Sequence, residues 1–169
     1  MNLLALLIIP LLTAIFILLE RRYQQVKWIA LIGASLQLVA AIMLFFGYRQ
    51  AAQTSLSGPI IFQQQYNWYP AWNIGLHIGV DGISVAMIML TAFVVIAGVL
   101  VSWNVKRLTS SYFFMLILLS LGAYGFFFSL DLFSLFFFLE IAVIPKFLLI
   151  GIWGSGQKEY AARKLALML

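Results

Sequence analysis

Long apolar runs free of charge alternate along this chain with short charged breaks. The first run, residues 2–19, stops at Glu20, Arg21 and Arg22. A second, 28–48, lies between Lys27 and Arg49, and a third, 82–105, between Asp81 and Lys106. The fourth lies between Arg107 and Asp131; Leu108 to Ser111 read as a turn, which predicts a helix over 112–130. The fifth, 132–152, holds two charges, Glu140 and Lys146. A helix needs about 20 apolar residues to cross the roughly 30 Å hydrocarbon core of a bilayer, and each run is near that length. Residues 160–169, after Trp153-Gly154-Ser155-Gly156, read as the start of a sixth helix too short to span. The pattern predicts an all-α integral membrane protein with a single membrane domain over 1–169. Its architecture is a bundle of five transmembrane helices plus the start of a sixth.

The connection 49–81 is the one sizeable polar stretch. Its first part, 49–58, reads as turns. Its second part holds Tyr66, Trp68, Tyr69, Trp72 and His77 and reads as a loop lying along the interface, where amphipathic aromatics prefer to sit. Pro10 falls inside the first run and removes a helical donor, so a kink is expected there. That run has no basic leader and no small-residue cleavage site before Glu20, so a retained helix is expected in place of a signal peptide.

Composition excludes most other classes. Of 169 residues, 64% are hydrophobic and 9% charged, against about 25% charged in a soluble domain. A soluble enzyme and a disordered tail are excluded. The net charge of +5 does not indicate nucleic-acid binding, because the cations are scattered in twos and threes between apolar runs. They indicate topology instead. Arg21, Arg22, Lys27, Lys106, Arg107 and Lys158 fall on one side and Arg49 on the other, which predicts a multi-pass chain with its N-terminus facing out. The absence of cysteine excludes disulfides, zinc–thiolate sites and iron–sulfur clusters, and the lone His77 cannot form a two-histidine metal site. No metal and no internal redox cofactor are expected.

Glu140 is the most informative residue. An ionisable group near mid-bilayer costs several kcal/mol unless it is paired, hydrated or protonated. Its helical neighbours Phe133, Phe136, Phe137, Val143, Ile144 and Phe147 are all apolar. Its protonation would then depend on a cation arriving from another helix, which is the elementary part of a proton relay. Pro145 removes the donor for the Ile141 carbonyl, beside Glu140, and a freed carbonyl in a bundle interior is a place for water. Lys146 lies about 120° around the axis from Glu140 and about 9 Å along it, so it is read as snorkelling to the headgroups. Asp131 and Asp81 read as turn or cap residues before the helices that follow them. Ser120, Gly122, Gly125 and Ser129 permit close helix packing.

Two runs then resemble a known family. Tyr69-Pro-Ala-Trp-Asn-Ile-Gly-Leu-His-Ile-Gly-Val-Asp-Gly-Ile-Ser84 resembles the segment before the third helix of the antiporter-like, M-type subunit family of respiratory complex I (NADH-quinone oxidoreductase). Ser129-Leu-Asp-Leu-Phe-Ser-Leu-Phe-Phe-Phe-Leu-Glu140, followed by Ile144-Pro145, resembles that family's junction of fourth and fifth helices. Trp153-Gly154, Tyr160-Ala-Ala and Lys164 continue the likeness, which covers essentially the whole chain and only the N-terminal portion of the family's subunit. Lys146 and Arg163 depart from the family's pattern.

The resemblance implies a membrane-arm subunit of a proton-translocating NADH:quinone oxidoreductase, in contact with other membrane-arm subunits and the lipid bilayer. Glu140 would be the relay acid, paired with a lysine on a seventh helix outside this chain; Pro145, Lys146 and Lys164 are this chain's own candidate supporting residues. It also implies that NADH, FMN, the iron–sulfur clusters and quinone are held by other subunits. A subunit of an Mrp-type cation/proton antiporter or membrane-bound hydrogenase is a second reading, and a truncated, non-catalytic structural subunit a third.

Overall fold

The computed structural model describes residues 3–20, 22–54, 60–69 and 74–168. Helices α1 (Leu4–Leu19) and α2 (Tyr23–Thr54) are followed by a hairpin of β1 (Ile61–Tyr69) and β2 (Ile74–Val80). Then come α3 (Gly82–Val101), a 3-10 turn over Ser102–Asn104, α4 (Thr109–Phe128), α5 (Leu132–Trp153) and α6 (Lys158–Met168). Among the described residues, four helices, α2 to α5, are long and apolar enough to cross a membrane, and α1 is a shorter apolar helix.

Each of α1 to α4 turns one stripe inward. On α2 the stripe is Val26, Ala30, Ala34, Gln37, Ala41 and Leu44; on α3 it is Val85, Ile88, Ala92, Val95 and Val99. The i, i+3, i+4 spacing puts each set on one face. The buried side chains form two clusters, one around Tyr124, Phe128 and Ile88 and the other around Phe113, Ile117 and Val99. Gly33 brings α2 against α1, since a Cβ there would overlap Thr13.

Gln37 is the one polar member of the α2 stripe. It is fully buried, and neither its amide nitrogen nor its oxygen has a partner among the described residues. An unmade buried hydrogen bond costs about 1–3 kcal/mol, and an apolar replacement of similar shape removes that cost. Gln37→Leu is therefore expected to raise the thermal unfolding midpoint of the detergent-solubilised protein, by roughly 1 kcal/mol of stability. A lowered midpoint would show that the amide is paired within the membrane.

Three expectations from the sequence are corrected. The segment 49–58 does not begin with turns: α2 continues to Thr54. Arg49, Gln50, Ala51, Ala52 and Gln53 are all good helix formers, and the first breakers come at Gly58 and Pro59. The fourth helix starts at Thr109, not near Tyr112, because Leu108 takes a left-handed backbone (φ 51) that turns the chain directly into it. The aromatic half of the outer connection is an antiparallel hairpin with Gln65 opposite His77 and Tyr66 opposite Leu76. In β2 the residues Leu76, Ile78 and Val80 alternate with His77 and Gly79, the period of a strand, and Ile78 and Val80 are fully buried. Trp72 lies outside the described residues, as do the side chains of Trp68 and Tyr69.

Candidate functional site

Up to its last turn, where α6 meets it, α5 is held to the bundle along one side. Asp131 opens it: its Oδ2 accepts the Ser134 backbone N–H at 2.9 Å, an N-cap. Ser134, Phe138 and Pro145 form its buried stripe. The partner surface is α4, where a Cβ on Gly122 would lie 2.6 Å from the Ala142 backbone nitrogen, and one on Gly125 would overlap the Phe138 ring. The two helices approach this closely because both positions lack side chains. α6 packs on α5 through Ala162, which faces Gly151.

The opposite face of α5 is open. Only 11% of its apolar window is buried, against 44% for α4. Phe133, Phe136, Phe137, Ile144 and Phe147 are exposed along it. Glu140 stands in the middle of this stripe and is itself exposed. No side chain among the described residues pairs with it. The acid therefore lies on an outward surface of this chain, ringed by phenylalanines, and not in the interior of the bundle.

The three supporting residues do not gather around it. Pro145 is on the buried side, about 140° around the helix from Glu140. Lys146 is exposed on α5 and Lys164 on α6, where its Nζ lies 4.8 Å from the Tyr160 ring centroid. Arg163 is exposed as well.

Sequence reasoning missed a latch at the start of α5. The Asp131 Oδ1 accepts the backbone N–H of His77 at 3.2 Å, and the Leu130 N–H donates to the His77 carbonyl at 2.9 Å. Ile78 bridges to Ser129, and Gly79 packs so closely on Leu130 that a Cβ there would lie 2.7 Å from Leu130 Cδ1. The hairpin is thereby bolted to the turn from which the acid-bearing helix springs. Partial burial pushes the Asp131 carboxyl up, but bonds from Ser134 and from the His77 N–H outweigh it and hold the group below the usual carboxylate value of 3.8. Bonds from Ser84 do the same for Asp81, whose carboxylate accepts the Ser84 N–H at 2.7 Å and caps α3.

At the end of the bundle rich in Lys and Arg, aromatic side chains tie helices to loops. Trp153 Nε1 donates to the Arg107 carbonyl at 2.8 Å, and the Tyr112 and Trp153 rings meet edge to face at 5.3 Å. The Ser102 and Tyr112 hydroxyls lie 2.6 Å apart. Ser110 donates to the Ile17 carbonyl at 3.1 Å.

No family model matches the chain, but individual relatives do. It is 37% identical over 162 residues to NADH-quinone oxidoreductase subunit M of Buchnera aphidicola, a match covering 91% of this chain and 32% of that protein. The subunit M of Rhodobacter capsulatus is 34% identical over 83% of this chain and 26% of its own length. Over most of its length, the chain is related to the subunit M and chain 4 family. The chloroplastic NAD(P)H-quinone oxidoreductase chain 4 of Chlorokybus atmophyticus extends this family to 32% identity over 88% of the chain and 28% of that protein. The chain thus spans about a third or less of the length of the relatives it matches.

Solved structures share the fold. An archaeal membrane-bound sulfane sulfur reductase superposes with a TM-score of 0.75 at 24% identity, over 98% of this chain and 33% of that one. Respiratory complex I from Thermus thermophilus gives 0.74 at 22%, over 98% and 32%. Relatedness to subunit M, together with the apolar helices, makes this a multi-pass membrane chain.

Proposed function

We propose that the chain supplies the first helices of the antiporter-like subunit M in the membrane arm of a proton-translocating NADH:quinone oxidoreductase, with Glu140 as an intramembrane proton-relay acid. The observation that carries this reading is the carboxyl group at the centre of an exposed phenylalanine stripe. In a bilayer such a group costs about 3 kcal/mol on insertion scales, and intramembrane acids that persist at that cost mark ion and proton paths. A helix laid over the stripe would bury the phenylalanines, and a lysine on it would decide whether Glu140 holds its proton. Moving that cation toward or away from the acid loads and releases the proton without any chemistry in the chain itself. The flavin, the iron–sulfur clusters and the sites for NADH and quinone belong to other subunits in this reading. The end rich in Lys and Arg faces the bacterial cytoplasm, and the hairpin faces out.

The test uses the assembled, reconstituted complex. Glu140→Gln is expected to lower the protons translocated per NADH oxidised while leaving the amount of this chain in the membrane unchanged. Glu140→Asp is expected to keep part of the translocation. An unchanged ratio in Glu140→Gln would reject the relay role and leave a structural one. Likeness to the sulfane sulfur reductase favours a second reading, a cation/proton antiporter module in another respiratory membrane complex. It requires translocation to depend on sodium, which proton pumping by the first reading does not.

A further inference from the structure

The end of the bundle rich in Lys and Arg carries a cleft of about 300 Å³ between α2 and the chain leaving α3, lined by Tyr23, Gln24, Lys27, Trp28 and Trp103. Lys27 is not a free surface lysine. Its Nζ donates to the Trp103 carbonyl at 2.6 Å and lies 5.9 Å from the Tyr23 ring centroid, and the side chain is half-buried. The Trp28 and Trp103 indoles meet edge to face at 5.4 Å beside it. That carbonyl takes one of the ammonium's three N–H donors and none of its charge. Among the described residues no carboxylate pairs with Lys27. The acid of the α1–α2 loop, Glu20, accepts the Arg22 backbone N–H at 3.0 Å. Arg22 stands at the start of α2, and Lys106 and Arg107 follow Trp103, so the two strands of chain that frame the cleft bring further positive charge.

From this geometry we propose that the cleft binds the phosphodiester headgroup of an anionic phospholipid from the leaflet at this end of the bundle. The chemistry on each side is complementary. Two remaining ammonium N–H groups are held in place by the Trp103 carbonyl and face a cleft that an indole pair borders. Indoles settle at headgroup depth, and basic pockets between membrane helices bind anionic headgroups. A lysine pinned by a backbone carbonyl loses little further side-chain freedom when a phosphate oxygen arrives, which favours a fixed site over diffuse attraction. A zwitterionic headgroup brings its own cation against Lys27 and fits worse.

The proposal is tested by native mass spectrometry of the protein extracted from its membrane with whatever it assembles with. It is titrated with dioleoyl phosphatidylglycerol, dioleoyl phosphatidylcholine or inorganic phosphate. The wild type is expected to retain phosphatidylglycerol at least tenfold more tightly than phosphatidylcholine. Lys27→Met should abolish that preference and Lys27→Arg should keep it. Equal retention of the two lipids, or a preference that survives in Lys27→Met, would overturn the proposal. So would displacement of the lipid by inorganic phosphate, which would make the site one for the free anion. Lys27→Met also removes the bond to Trp103, so Trp28→Leu, which leaves that bond intact, serves as the second variant. Its preference for phosphatidylglycerol should fall several-fold, and no change there with an unfolded Lys27→Met would also overturn it.

Discussion

Gly122→Ala in α4 is expected to force α4 and α5 apart and to lower the thermal unfolding midpoint. The new Cβ would lie 2.6 Å from the Ala142 nitrogen and 2.8 Å from its Cα. These are backbone atoms of a continuous helix, so no rotamer change can relieve the overlap. Overpacking of a well-filled site costs about 1–3 kcal/mol, and the upper end applies where only a rigid-body shift gives relief. Gly125→Ala meets a different obstacle, the Phe138 ring, which is a side chain and can be exchanged. The pair Gly125→Ala with Phe138→Leu should therefore recover much of the stability that Gly125→Ala loses. Gly122→Ala combined with Ala142→Gly should recover little, since the backbone atoms remain. Unfolding midpoints of the four variants in one detergent decide the matter. Recovery in the Gly122 pair, or none in the Gly125 pair, would mean that the seam between these helices is looser than described.

The seam was legible because small residues at helical spacing have few other uses in an apolar helix: Ser120, Gly122 and Gly125 stand on α4, and Ser129 follows as its C-cap. The helical membrane bundle was legible for a related reason, since each long apolar run is delimited by charges that cannot enter the hydrocarbon core. The hairpin was not read, although Leu76, Ile78 and Val80 carry a strand's alternation. Tryptophan and tyrosine in 66–72 suit an interfacial loop equally well, and composition hid the period. Glu140 could be found in the sequence because an isolated acid between phenylalanines stands out. Its direction could not be read there. Helical spacing places it on a face with Phe136 and Ile144, but only the packing of Phe138 and Ala142 against Gly125 and Gly122 turns that face outward. The hydrogen bond from His77 to Asp131 joins residues 54 apart in the chain, and no local pattern announces it.

Asp131→Ala is expected to release the hairpin from the bundle and fray the start of α5. One carboxylate serves both: Oδ2 takes the Ser134 N–H and Oδ1 the His77 N–H. Loss of an N-cap costs about 1 kcal/mol, and a second bond about as much again. Asparagine separates the two roles, because its amide has a single acceptor oxygen and sets an NH₂ donor against the second N–H. Asp131→Asn should keep amide protection at Ser134 or at His77, not at both, while alanine loses both. Hydrogen exchange at these two amides reads this directly. The carboxyl is held below 3.8 in the folded state, so its contribution is complete above that value and is lost as pH falls through the lower folded-state value. Protection at His77 should accordingly be flat through neutral pH and drop only under acid. Asp81, shifted the same way, should release the Ser84 amide in the same acid range. In Asp131→Asn the Ser84 loss should persist after the acid-dependent loss at His77 has gone, because α3 keeps its own carboxylate cap. Protection at His77 that ignores acid in the wild type, or that survives in Asp131→Ala, would mean that Ile78, Gly79 and the Leu130 N–H hold the hairpin without the carboxylate. The turn ahead of Glu140 would then be fixed by packing alone.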